Sequence, residues 1–331
     1  TENGDAPVPQ GAPRENTGLY STAKQRRGAG CSAVRMQRGF HHGLLVVWIA
    51  PLRSRVAWLG VCPMLLVALW TTAPTGVSAA GGQGAPTAGL ARILDQYVRD
   101  GFVYYAALKV ERRAIDEVIA GLAARPTAFD AWSADRRLAY WINGYNALVL
   151  RTVIDAYPIA GTAVEFPPKS VMQIPGMFTG REHAIAGERL TLQAIEDERI
   201  AAFGDRRAHL ALGRGAVGSP RLRSEPFEER GLDAQLDAVV ADFATTPRHV
   251  TVDRVAGQVV ISALVGWQAE RFASLAGADD GSGRSAIERS VVSLIAPALF
   301  PSEQAFLAEN TFQLAYHEFD WRLNDLTGGR P

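Results

Sequence analysis

Lysine is nearly missing from this 331-residue chain: of 34 basic side chains only Lys24, Lys109 and Lys169 are lysine. We read that as a codon bias rather than a functional choice. Net charge is missing as well, with 34 basic residues against 34 acidic ones. That balance excludes the basic excess or stripe expected of a nucleic-acid binder. Cysteine is scarce, and both copies, Cys31 and Cys62, lie before residue 80. Residues 80–331 therefore offer no thiol nucleophile, no thiolate metal site and no redox dithiol. An exported domain of that size without disulfides must be stable through its core alone. The apolar content of 47% is ample for such a core.

The neutral total is the sum of two unlike parts. Residues 1–79 carry eight basic and three acidic side chains, and residues 80–331 carry 26 and 31. Residues 1–42 are rich in Gly, Pro, Arg and Gln without periodicity, and read as disordered or as a spurious upstream segment. Residues 43–79 read as a signal sequence, with a membrane anchor as the alternative. Arg53 and Arg55 precede the apolar run Val56–Trp70, and Val77-Ser78-Ala79 is a small-residue cleavage pattern. Spanning a bilayer takes about 20 apolar residues, and Pro63 interrupts this run, so cleavage is the favoured reading. The expectation is an exported protein, periplasmic or secreted, that touches the membrane only if its leader stays attached. Residues 80–331 form the globular domain.

That domain reads as α+β, a helix-rich single domain with short antiparallel hairpins. Helical spacing covers Ala88–Asp100, Lys109–Ala124 and Asp233–Ala244. The clearest stripe is Leu138, Trp141, Ile142, Tyr145, Leu148, Val149, Thr152 and Val153, a single apolar face capped by Ser133 or Asp135 and ended by Tyr157-Pro158. Residues 159–180 form a Pro- and Gly-rich loop. Hairpins are expected at His183–Ile185 with Glu188–Leu190, and at Val250–Asp253 with Gln258–Ser262. Thr191 caps a helix to about Phe203, Ser285–Ala296 is a further helix, and Phe312–Tyr316 is a late strand.

Motifs that carry chemistry are few. Gly213-x-Gly215-x-x-Gly218 matches the dinucleotide fingerprint in form, but Ser219-Pro220 follows where a helix should open, so no cofactor is expected. Asp279-Asp280-Gly281-Ser282-Gly283 lacks calcium-loop spacing. His183, His209, His249 and His317 are scattered, and no metal site is expected. Asn143 and Asn146 lie mid-helix beside the buried face with Trp141 and Tyr145. They either orient a catalytic group or tie a buried loop to the helix. Glu196 and Asp197 share a helix but face about 100° apart, so they do not pair with each other. Either could serve a cleft alone.

Four stretches together resemble the domain-of-unknown-function 547 family: Arg137–Leu150, Leu190–Asp197, His209–Leu222 and Phe319–Asp325. The Trp141-Ile142-Asn143-x-Tyr145-Asn146 segment and the closing Asp320-Trp321-x-Leu323-Asn324 are the most specific parts. The resemblance implies a site with a Glu-His pair and a later Cys, similar to cysteine hydrolases or transglutaminases. This chain departs from that pattern. It has Asp197 where members carry His after Glu, Gly213-Arg214 where they read Asn-Cys, and Ser219-Pro220 where they read Cys-Pro. The expectation is a domain that has lost cysteine-dependent catalysis and binds a peptide, an envelope polymer or a protein partner. Trp141, Asn143, Tyr145, Asn146, Arg214 and Trp321 are the candidate binding residues. The rival expectation is a hydrolase using Ser219, or a water activated by Glu196 or Asp197.

Overall fold

Residues 85–328 are described by the computed structural model, and the readings of residues 1–42 and 43–79 lie outside the described residues. The chain opens with α1 (Ala85–Tyr97), a minimal hairpin of β1 (Val98–Arg99) and β2 (Phe102–Val103), then α2 (Tyr105–Val110) and α3 (Arg113–Ala123). The long α4 (Ala134–Ala156) follows, then the hairpin β3 (Glu182–Ile185) and β4 (Glu188–Thr191). Next come α5 (Leu192–Ala194), α6 (Arg207–Leu210) and α7 (Leu232–Thr245). The last part holds β5 (Val250–Asp253), β6 (Gln258–Ser262), α8 (Ala263–Trp267), α9 (Ala269–Ser274), α10 (Ala286–Ile295), α11 (Pro301–Ala308) and β7 (Gln313–His317). This is an α+β fold. No helix among the described residues is long and apolar enough to cross a membrane.

The centre is α4. Ser133 starts it by accepting the Arg136 N–H at 3.1 Å, and Tyr157 leaves it in extended conformation. Its apolar stripe is where the periodicity put it, but burial extends well beyond one face. Asn143, Gly144, Asn146, Ala147, Leu150 and Ile154 are buried too. Packing explains the difference, because α2, α3 and the segment after α5 all lie against α4. Gly144 permits one of these approaches. A Cβ there would stand 2.6 Å from Ile185 Cδ1 of β3.

Two other readings are corrected by tertiary contacts. The helix expected over Lys109–Ala124 is broken at Glu111–Arg112, giving α2 and α3. Both pieces lie against α1 and α4, and each buries its own apolar residues there, Tyr105 and Leu108 on α2 and Ile115, Val118 and Leu122 on α3. The strands expected as hairpins also include a parallel pair. β6 pairs antiparallel with β5 but parallel with β7, in register from Gln258 opposite Gln313 to Ser262 opposite His317. A parallel return needs a long crossover, and α8 to α11 supply it.

The closing segment stitches the domain together. Ala216 bridges Leu323, Ser170 bridges Arg322 and Val103 bridges Asp325. Asn324 is the busiest knot: its Oδ1 accepts the Tyr105 hydroxyl at 2.8 Å and its Nδ2 donates to Gly101 O at 2.7 Å. Nearby, Tyr157 donates its hydroxyl to Asp325 Oδ2 at 2.8 Å. The glycine motif is explained here as well. Gly215 has φ +68°, and a Cβ on Gly218 would lie 2.7 Å from the Asp320 backbone nitrogen. These glycines let the loop meet the closing segment.

Asn324→Ala strands the Tyr105 hydroxyl and the Gly101 carbonyl. Denaturant unfolding should show a loss of about 2–4 kcal/mol. A loss under about 0.5 kcal/mol would mean the closing segment is not a structural tie.

Candidate functional site

Thr191 begins the site by accepting the Ala194 N–H at 3.0 Å, which caps α5. From Ile195 to Ile200 the helix then widens to a π-turn, a local form found often at functional sites. That turn parts the two neighbouring carboxylates. Asp197 pairs with Arg271 at 2.8 Å, and both side chains remain partly exposed. Glu196 turns inward, where it is only 5% exposed.

Asn146 holds the loop that meets Glu196. Its Oδ1 accepts the Gly213 N–H at 2.8 Å, and its Nδ2 donates to Ala211 O at 3.1 Å. Asn143 treats Phe227 the same way, accepting its N–H at 2.9 Å and donating to its carbonyl at 2.8 Å. Of the two roles open to these amides, the geometry supplies the loop ties. Held in this way, the loop delivers Arg214, 3% exposed, to Glu196. Arg214 Nη2 lies 2.6 Å from Oε1 and 2.8 Å from Oε2, so one nitrogen spans both oxygens. The same guanidinium donates through Nη1 to Leu212 O at 3.2 Å.

Two further groups complete the cluster, and neither was a site candidate from sequence. His209, on α6 and 2% exposed, places Nδ1 3.0 Å from Glu196 Oε1. Gln268, between α8 and α9, donates Nε2 to the same oxygen at 3.2 Å. Burial alone would raise the Glu196 pKa, but attraction to Arg214 and the hydrogen bond and charge of His209 outweigh it. The carboxyl is held well below the usual range, at about 2. An ionised carboxylate only accepts, so the His209 Nδ1 is the donor in this contact.

The remaining candidates are dispersed around this cluster. The Ser219 Oγ accepts the Arg214 backbone N–H at 3.1 Å. No histidine or carboxylate among the described residues hydrogen-bonds that hydroxyl, and the crevice it lines measures about 10 Å³. Trp321 stacks on Trp267 at 5.3 Å and 12°, with Phe319 at 4.4 Å. Gln268 follows Trp267 directly in the chain. Trp141 and Tyr145 are buried in the core. Cavities of about 750, 460 and 300 Å³ open elsewhere, and of the candidates only Asn143 reaches one, beside Trp132 and Tyr140. Among the described residues no group of three or more His, Cys, Asp or Glu could hold a metal ion.

The chemistry follows from these contacts. A general base needs a pKa near the working pH and a free lone pair. Glu196 is depressed far below neutrality, and its Oε1 already accepts from Arg214, His209 and Gln268. Arg214 cannot attack a carbonyl. The arrangement is that of a charge-compensated structural knot.

Glu196→Gln removes the anion and leaves Arg214 buried without its counter-charge, which should cost about 3–5 kcal/mol at pH 7. Adding Arg214→Met should restore most of that loss. The pH dependence has a definite sign, because the folded carboxyl titrates below the unfolded one. Its contribution is full above the ordinary glutamate value of 4.5 and fades as pH falls toward about 2. Unfolding curves of the wild type and Glu196→Gln should converge over that window. A gap that stays constant would contradict the assignment.

No curated protein and no solved structure matches the chain. Residues 129–244 match the family described as Protein of unknown function, DUF547. The matched stretch holds α4, the π-turn, α6 and the loop to α7, and with them Asn143, Asn146, Glu196, His209 and Arg214. The closing segment through Trp321 and Asn324 lies beyond it. Over residues 129–244 the chain is similar to the DUF547 family.

Proposed function

We propose that this domain is a non-catalytic binding module, exported by its leader, whose partner is a peptide, an envelope polymer or a protein. The observation that carries the reading is Arg214, which stands where a nucleophile would be expected from the resemblance. Its guanidinium fills the space beside Glu196 and His209 with a buried ion pair. Three further points support it. Residues 80–331 contain no cysteine. Ser219 meets the Arg214 amide rather than a base. Glu196 is saturated and ionised, so it is poorly suited to activating water.

The test is turnover. Purified protein screened against amide, ester and peptide substrates should give rates indistinguishable from buffer. Hydrolysis that Ser219→Ala or Glu196→Gln abolishes would overturn the binding reading and establish the hydrolase instead.

A further inference from the structure

Two arginines next to each other, just at the start of α6, are treated very differently by their surroundings. Arg207 is over-supplied with acid. It meets Asp205 at 2.8 Å, Asp233 at 2.8 Å and Asp237 at 2.5 Å. Three carboxylates on one guanidinium leave negative charge unmatched, and two of them, Asp205 and the more exposed Asp237, also line the adjoining cavity. Arg206 has the opposite problem. It is half-buried, and its hydrogen bonds run to neutral oxygens: Ser290 Oγ at 2.9 Å, Ser293 Oγ at 3.0 Å and Leu275 O at 3.3 Å. No carboxylate among the described residues lies within salt-bridge distance of it.

Both charges face the same cavity of about 750 Å³, which is walled by Val240, Leu275 and Leu294. A volume of this size suits a small ligand, and a few fixed polar groups on an apolar wall set its orientation. A guanidinium that makes no salt bridge, with only the neighbouring Asp205 acting on it at longer range, favours a carboxylate. Surplus aspartate selects a cation. We propose that this cavity binds a zwitterion with an apolar body, its carboxylate on Arg206 and its ammonium toward Asp237. A free apolar α-amino acid and a short apolar peptide share that chemistry. The proposal rests on the binding reading and gives it a place and a ligand class. The cavity is lined by different residues from the Glu196 cluster, although α6 carries both Arg207 and His209.

Calorimetric titration of the full chain separates the alternatives. The probes are L-leucine, trileucine, N-acetyl-leucine, which lacks the ammonium, and leucinamide, which lacks the carboxylate. Saturation by leucine identifies an amino-acid site, and saturation by trileucine alone identifies a peptide site. Either blocked form should bind about tenfold more weakly than leucine, with the larger effect for leucinamide because Arg206 is the more buried partner. Arg206→Gln should erase the difference between leucine and leucinamide. Asp237→Asn, at an exposed position that folding should tolerate, should erase the difference between leucine and N-acetyl-leucine. The proposal is overturned if neither leucine nor trileucine saturates by about 10 mM, or if the blocked forms bind equally well. That failure would leave the turnover screen, which alone decides whether the domain is catalytic.

Discussion

A carboxylate taken out of water needs compensation from the protein around it, and Glu196 receives it from three side chains on three different segments. Arg214 comes from a loop, His209 from α6 and Gln268 from the junction of α8 and α9. These segments are far apart in sequence, and the anion gives each a reason to approach the π-turn. The desolvation cost of such a pair is large, so its value lies less in net stability than in fixing one arrangement. Here that arrangement includes the loop path, since Asn146 secures Ala211 and Gly213 on either side of Leu212, whose carbonyl Arg214 also contacts.

The same economy appears at the other end of the loop. Asn143 holds Phe227, Gly218 admits the Asp320 backbone, and Asn324 ties the closing segment to Gly101 and Tyr105. The residues most characteristic of the family resemblance are thus those that knit non-local backbone together. The asparagines of this frame answer to backbone amides and carbonyls. At the centre of that frame Arg214 and Glu196 form a buried salt bridge.

Much of this fold was legible in the sequence because it is local. Ser133 as the cap of α4, Thr191 as the cap of α5 and the two longer hairpins all follow from short-range pattern. What escaped was long-range. Nothing near Lys109 announces that the helix breaks at Glu111–Arg112, and nothing in β7 says that it pairs parallel to β6. The site divides in the same way. Glu196 and Arg214 drew notice through their place in the motifs. His209 was set aside because its partner lies 13 residues away, across a turn. Burial of a polar side chain in an otherwise apolar Ala208–Leu212 stretch was the one available signal. Gln268 carried none, since its role depends wholly on where α8 ends.

The account stands or falls on the charge state of Glu196, which carbon-13 NMR of its side-chain carboxyl reads directly. A structural anion held by Arg214 and His209 should remain ionised through the mildly acidic range and titrate below the ordinary value of 4.5, near 2. A carboxyl that titrates above about 6, as a working acid or base would, would contradict the account and return the site to catalysis.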